Sequence, residues 1–246
     1  MATAVFADIH GNLEALNACL AHARARGAAR FAIVGDIVGY NADPVACLDI
    51  VRELQAQGAV VVRGNHDEVA LGGLCEDMNF LAREAIYWTR TQLGATEREF
   101  IAGLPLIECR DDCTFAHASA DAPQRWPYVT SLRQAQACMT AAGTSMTFVG
   151  HVHHPTLYYA TGGTTRLFEP ASAVAIPVPA RWQWLAIAGA VGQPRDGNAA
   201  AAYVLFEEAS RNLFFFRVPY DCDRAARKVL AAGLPERLAW RQRRCG

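Results

Sequence analysis

With 246 residues, 52% of them hydrophobic and 19% charged, the chain has the composition of a folded protein and is long enough to bury one large core. A formal net charge of -1 and the lack of any Lys or Arg run exclude a global basic field for a nucleic-acid backbone, and no apolar stretch is long enough to span a bilayer. Eight cysteines stand at 19, 47, 75, 109, 113, 138, 222 and 245 without a Cys-x-x-Cys, and Met1 to Val5 runs into a strand with no secretion signal, so reduced thiols and a cytoplasmic location are expected.

The runs Val5 to Ala7, Phe31 to Val34 and Val60 to Val62 are short, apolar and rich in β-branched or aromatic residues, as buried strands are. A helix with Leu13, Leu16 and Leu20 on one face separates the first two, with His22 on it as a solvated residue. Asp43-Pro44 supplies the cap and first position of a second helix. Residues 68 to 103 are helical in pattern, and their apolar stripe of Phe80, Leu81, Ala85, Ile86, Trp88 and Leu93 fits either a lid or, with more weight, core packing.

Thr114 to Ala116 and Thr147 to Val149 are two further strand candidates, and between them Ser131 to Ala142 reads as a helix closed by Gly143. Beyond residue 153 the texture changes to short strands at Leu157 to Ala160, Thr164 to Phe168, Trp182 to Ile187, Ala200 to Phe206 and Leu213 to Val218. The last two form a hairpin around Glu207 to Asn212, and Asp221 to Ala232 and Pro235 to Arg241 close the chain as helices. Neither repeats nor a linker divide residues 1–246, which read as one α/β domain.

Five of the runs end in metal-ligand residues: Asp8-Ile9-His10, Gly35-Asp36, Gly64-Asn65-His66-Asp67, His117 and Gly150-His151-Val152-His153. In an open α/β sheet, ligands bind where the carboxyl ends of the strands emerge, so the five segments meet at one rim. On an extended chain Asp8 and His10 point the same way, as do His151 and His153, and each pair can grip one site. Carboxylate, imidazole and amide oxygen without thiolate suit borderline-hard divalent ions such as Mn, Fe, Zn, Co or Ni. Seven ligand candidates exceed one tetrahedral ion. Two ions about 3.5 to 4 Å apart, sharing a carboxylate, use them all and can clamp the attacking and leaving oxygens of an in-line displacement. Phosphoester hydrolysis is the reaction such a clamp serves, with a hydroxide held between the ions as nucleophile.

These five blocks, in order from Asp8 to His153, resemble the calcineurin-like metallophosphoesterases. Asp8-Ile9-His10-Gly11-Asn12, Gly35-Asp36-Ile37-Val38-Gly39-Tyr40 and Gly192-Gln193-Pro194-Arg195-Asp196-Gly197 look like a bacterial and archaeal branch labelled phosphodiesterases or diadenosine tetraphosphatase-like. The resemblance implies a four-layer α-β-β-α sandwich of two mixed sheets flanked by helices. It implies one metal on Asp8, His10, Asp36 and His153, a second on Asp36, Asn65, His117 and His151, and His66 as general acid to the leaving group. Many relatives carry a second Asp three residues after Gly-Asp, where it orients the catalytic histidine, followed by an arginine. Gly39 and Tyr40 stand at those places here, Asp67 is the substitute to examine as a partner of His66, and a phosphoprotein substrate is disfavoured.

Outside the ligand set, Arg195 reads equally as a phosphate contact or as a residue of the turn made by Gly192, Pro194 and Gly197. Asn12 can contact substrate or cap the helix that follows it. His154 is a bystander. The loop from Ser119 to Tyr128 is the first place to look for specificity, and Tyr40, Trp88, Trp126 and Tyr128 are the aromatics that could stack on a base. The leading function is hydrolysis of a phosphodiester or nucleotide pyrophosphate bond in a small phosphorylated compound. A phosphomonoesterase, a nuclease of the same fold and a non-catalytic scaffold are the alternatives. A nucleic-acid partner is not expected, and sequence is silent on oligomeric state.

Overall fold

The computed structural model describes residues 1–73, 75 and 78–243; positions 74, 76 and 77 of the helical segment, and Cys245, lie outside the described residues. The chain begins with β1 (Ala2–Phe6), α1 (Leu13–Ala25), β2 (Arg30–Val34), α2 (Pro44–Ala56) and β3 (Val60–Val62), then three helices, α3 (Asn65–Ala70), α4 (Phe80–Gln92) and α5 (Ala95–Gly103). There follow β4 (Ile107–Arg110), β5 (Cys113–Ala116), α6 (Leu132–Ala142) and β6 (Met146–Val149). The rest comprises β7 (Thr156–Thr161), β8 (Thr164–Phe168), β9 (Ile176–Pro177), β10 (Gln183–Ile187), β11 (Ala201–Glu207), β12 (Asn212–Val218), α7 (Cys222–Ala231) and α8 (Glu236–Arg243).

The strands form two six-stranded sheets, in the orders β3-β2-β1-β11-β12-β9 and β4-β5-β6-β10-β7-β8. Both are mixed: β1, β2 and β3 are parallel, as are β5, β6 and β10, while β11 joins β1 antiparallel and β7 joins β10 antiparallel. Strand alternation sorts the side chains into layers. Val5, Val34, Val62, Phe148, Trp184, Val204 and Phe206 face between the sheets, with the Phe148 and Phe206 rings 5.8 Å apart. Each such ring, wholly removed from water, contributes about 1.5 to 3 kcal/mol. Ala4, Phe6 and Ile33 face the other way, onto Leu16 and Leu20 of α1 and Leu48 and Val51 of α2. Across the sandwich, Val149, Leu185 and Ile187 pack on Ala135, Cys138 and Met139 of α6. The architecture is the four-layer α/β sandwich.

The helices obey their ends. The Asn12 side chain accepts from the Ala15 amide at the start of α1, Ser131 does the same for α6, and Gly143 ends α6 at φ 69°. The stripe of α4 is narrower than its sequence suggests. Ala82, Ala85, Ile86 and Thr89 are buried, Ala82 and Ala85 in one apolar cluster with Ala226, Val229, Leu238 and Ala239, whereas Phe80 lies off that face and is 61% exposed. His22 is not simply solvated: its Nδ1 lies 2.8 Å from the hydroxyl of Tyr203, on the sheet face that α1 covers. Two strands escape the pattern reading: β4, an exposed edge, and β9, only two residues long. Among the described residues no helix is long and apolar enough to cross a membrane.

Candidate metal centre

The carboxyl ends of β1, β2, β3, β5 and β6 open on one rim, and the loop that follows each places its polar residues there. Asp8, His10, Asp36, His66, His117, His151 and His153 are all buried. The backbone is not extended at these positions. Asp8, His10, Asp36, His151 and His153 have φ of 54°, 50°, 51°, 66° and 61°, the left-handed region that L-residues adopt at a cost. Strain of this kind persists only where the surroundings fix it, and here each loop is pinned by main-chain bonds such as His10 N to Asp36 O and Gly150 N to His117 O.

The turns correct the expectation that His151 and His153 grip one site together. They diverge. His153 Nε2 lies 3.2 Å from His10 Nε2 and 3.2 Å from Asp8 Oδ1, while His151 Nδ1 lies 3.2 Å from His117 Nε2. Two donor sets result. In the first, His10 Nε2 is also 3.8 Å from Asp8 Oδ1 and 3.7 Å from Asp36 Oδ2. In the second, His117 Nε2 is 3.3 Å from the same Asp36 Oδ2 and 3.1 Å from Asn65 Oδ1. Asp36 belongs to both.

These separations match donors around a cation: ligand atoms about 2.0 to 2.1 Å from one ion stand roughly 3.0 to 3.4 Å from each other. Proton positions agree. Nδ1 of His10, His153 and His117 each meets a main-chain carbonyl, of Val38 (3.1 Å), Gln193 (2.6 Å) and Val34 (2.9 Å). A carbonyl only accepts, so each Nδ1 carries a proton and each Nε2 is the nitrogen turned inward, free to offer a lone pair at His10 and His153 and, at His117, once the second proton that Asp36 favours is displaced by a cation. Lone pairs of His10 and His153 facing each other beside carboxylate oxygens repel unless a cation lies between them. The residues therefore fit two divalent ions. Burial works against charge on both carboxylates, but the neighbouring histidines outweigh it, holding Asp8 down at about 2 and Asp36 well below the carboxylate range. Burial also opposes a proton on His117, yet Asp36 raises its pKa to about 9.

The carboxylates are aimed by amides. His151 N donates to Asp8 Oδ2 at 3.0 Å, and His66 N donates to Asp36 Oδ1 at 2.8 Å, leaving Oδ2 for the centre. Glycines make room: a Cβ on Gly150 would stand 2.6 Å from Asp8 Oδ2, and one on Gly64 would collide with Asp36 Oδ1.

His66 lies beside the first donor set, its ring centroid 4.7 Å from those of His10 and Tyr40. Its Nδ1 is buried without a hydrogen-bond partner among the described residues, and burial pushes its pKa down to about 4. Asp67 does not partner that ring. Its Oδ1 accepts from the Ile37 and Val38 amides at 2.9 and 3.1 Å and its Oδ2 from the Gly64 amide at 3.0 Å, because its side chain turns back onto the loop after β2. Gly39 faces the ring instead: a Cβ there would sit 2.5 Å from His66 Nδ1. Packing by Tyr40 and His10, rather than a carboxylate, positions His66.

Asn12 takes the capping role. Its Oδ1 is the α1 cap and its Nδ2 faces the Gly192 carbonyl and Gln242 Oε1, both at 3.1 Å, so it is committed to tying loops together beneath the centre. Arg195 reaches the rim, where its Nη2 donates to the Tyr40 hydroxyl at 3.2 Å. In the loop from 119 to 128, Tyr128 stacks on His151 at 4.0 Å and Trp126 meets His117 edge-on at 5.9 Å. Tyr40 is only 2% exposed and offers no face to a base; Trp88 packs beside α7 and α8. Asn41 and Gln193 were not visible as site residues in sequence. Asn41 Nδ2 holds the His10 carbonyl at 3.0 Å, a contact across 31 positions that only the fold reveals.

Comparisons with known proteins give the chain's family and fold. The chain is 35% identical over 243 residues to an uncharacterized protein of Methanocaldococcus jannaschii, covering 97% of this chain and 96% of that one. A metallophosphoesterase from Sphaerobacter thermophilus superposes with a TM-score of 0.86 at 34% identity, over 99% of both chains. A hypothetical protein from Pyrococcus horikoshii OT3 shares the fold, with a TM-score of 0.78 at 18% identity over 97% of this chain and 96% of that one. The sequence pattern of the calcineurin-like phosphoesterases matches residues 1–155, the stretch that ends just after His153 and so contains every donor of the buried centre, and the chain belongs to that family.

Proposed function

We propose that the protein hydrolyses a diester or anhydride bond in a small phosphorylated compound, a nucleotide among the candidates, using two divalent ions. One ion is held by Asp8, His10, Asp36 and His153, the other by Asp36, Asn65, His117 and His151. The observation that carries this reading is the pair of converging donor sets joined at Asp36 Oδ2, 3.7 Å from His10 Nε2 and 3.3 Å from His117 Nε2. When bound, two such ions activate water and neutralise phosphoryl oxygens. Manganese, iron, zinc, nickel and cobalt all suit the donors.

The chain's own residues supply the rest. The carbonyls of Val34, Val38 and Gln193 keep three imidazoles in the tautomer that presents Nε2. His66, uncharged in the free site where burial holds its pKa down at about 4, is charged by the approach of an anionic substrate and delivers that proton to the departing oxygen, a contribution of roughly 10² to 10⁴ in rate. The wall formed by Tyr128 over His151 limits solvent at the second donor set. Cysteine usage supports action in a reducing compartment such as the cytoplasm.

The test is hydrolysis of bis-p-nitrophenyl phosphate and p-nitrophenyl phosphate by chelated protein after manganese is restored, with Asp36→Ala as control. Diester turnover that disappears in the variant supports the reading. Preference for the monoester replaces it with a phosphomonoesterase, and two bound metals without cleavage of either ester favours a scaffold.

A further inference from the structure

On the His66 side of the centre two guanidinium groups, Arg195 and Arg241, form no ion pair among the described residues although both are anchored at the loop that holds His153. Several arginines elsewhere in the molecule pair with carboxylates: Arg30 with Glu208, Arg63 with Glu68, Arg211 with Asp112 and Arg217 with Asp196. Arg195 and Arg241 are held by neutral groups instead. Arg195 Nη2 donates to the Tyr40 hydroxyl at 3.2 Å, with the guanidinium carbon 5.8 Å from the Tyr40 ring centroid, and its own amide is tied to the His153 carbonyl at 3.3 Å. Arg241 Nη1 donates to Gln193 Oε1 at 3.3 Å, on the residue whose carbonyl fixes His153.

The mounts are rigid. Tyr40 is buried against His66, so Arg195 is fixed relative to that ring. Arg241 rides on α8, and the adjoining Gln242 is locked inside by Asn41 Oδ1 at 2.9 Å and Asn12 Nδ2 at 3.1 Å. With Arg241 anchored on Gln193 and Arg195, two residues on in the same loop, on Tyr40 and His153, the two guanidinium groups belong to one side of the centre, and burial and then the charge of Arg195 hold the Arg241 pKa down. Two like charges fixed side by side on a buried scaffold are unfavourable until an anion joins them, and planar forks suit phosphate.

The geometry points to a second anion subsite, formed by Arg195 and Arg241, that holds a phosphate of the leaving group, so that the substrate is one whose departing group is itself phosphorylated. This rests on the hydrolytic reading above. Water's oxygen bonds to the phosphorus at the metal centre and the bond from that phosphorus to the bridging oxygen breaks. The electron pair leaves on the bridging oxygen, His66 supplies it a proton, and water gives up its own proton to solvent. Arg195 and Arg241 balance the charge of the departing phosphate.

A matched pair of substrates tests this: bis(4-nitrophenyl) diphosphate, whose leaving group is 4-nitrophenyl phosphate, and bis-p-nitrophenyl phosphate, whose leaving group is 4-nitrophenolate. The wild-type protein is expected to favour the diphosphate in kcat/KM, and Arg195→Gln with Arg241→Gln to lower that ratio roughly tenfold or more. Lys at both positions returns part of it by restoring charge without the fork. An unchanged ratio in the double variant, or a wild-type preference for the monophosphate diester, overturns the subsite. If the wild type cleaves neither, the hydrolytic reading fails, and calorimetric titration with tripolyphosphate decides the subsite alone. A roughly tenfold weaker Kd in the double variant supports it, and equal Kd values overturn it.

Discussion

Replacing Gly39 with aspartate installs the carboxylate that many relatives carry three residues after Gly-Asp, and simple analogy expects it to help His66. The structure predicts harm. Gly39 has φ 95°, where an L-residue is strained by about 1 to 2 kcal/mol. A Cβ at that place lies 2.5 Å from His66 Nδ1 and 3.3 Å from its Cγ, and the ring cannot simply recede because Tyr40 and His10 pack on it with centroids 4.7 Å away. Relief requires the ring or the loop to move by about 1 Å, a misplacement that costs a catalytic group up to about 10²-fold. Gly39→Asp is therefore expected to lose 10- to about 100-fold in kcat on a diester with a poor alkyl leaving group. It should lose less on a p-nitrophenyl ester, whose leaving group needs little protonation, and should retain its metals. Steady-state kinetics on the two esters with metal analysis of the same samples measures this. Wild-type or faster alkyl-ester turnover in Gly39→Asp, at unchanged thermal stability, would refute the packing account of His66.

His66→Ala should keep both metals and lose roughly 10² to 10⁴ in kcat on unactivated esters, which metal analysis and kinetics on one preparation will show. Asp36→Ala removes the only side chain common to both donor sets, so metal content should fall for both ions together; loss of one alone would contradict the shared role. In chelated protein, His117 held at about 9 against an unfolded value near 6.5 adds stability that is present below pH 6.5 and lost as pH rises through 9. His66 at about 4 and His151 at about 3 act oppositely, costing stability as pH falls below 6.5. Thermal stability of chelated protein should thus fall between pH 7 and pH 9, and that loss, on the order of 3 kcal/mol from the His117 shift, should vanish when metal is restored. A melting temperature that keeps rising to pH 9 without metal would contradict the His117–Asp36 pairing.

How far the sequence reveals this molecule depends on the range of each interaction. The five ligand blocks follow directly from local pattern, because a buried strand ending in Asp, Asn or His needs only its own residues to be recognised. The partition of His151 and His153 between donor sets is invisible at that level, since period-two alternation assumes extended backbone and the loop after β6 turns left-handed. The hairpin from β11 to β12 pairs Glu207 with Asn212, where the turn residues place it. Strand β4 escapes because Ile107 and Cys109 are exposed on an edge and give no buried period. The α4 stripe is legible in part: Ala85, Ile86 and Leu93 are buried as core packing requires, but Phe80 is exposed and Ala82 joins the buried face, through contacts with residues of α7 and α8 far along the chain. Arg241 is the extreme case. Nothing near it in sequence marks it, and it is held at the rim by long-range bonds, its own to Gln193 across 48 positions and that of Gln242 to Asn41 across 201.

The centre and the fold are parts of one energetic problem. Asp8, Asp36 and four imidazoles are withdrawn from water at the junction of both sheets, an arrangement that buried polar groups sustain only when paired. Backbone amides answer part of the demand, at Asp8 from His151 and at Asp36 from His66, and main-chain carbonyls answer the outer nitrogens of His10, His117 and His153. The inward lone pairs have no protein donor and are left to cations, so metal affinity and folding free energy are expected to be linked. That linkage explains why the loops tolerate left-handed Asp and His residues: the strain is spread over five strand ends that the two hydrophobic layers already hold in register. A loop freed from its sheet would relax, and its donor would leave the set.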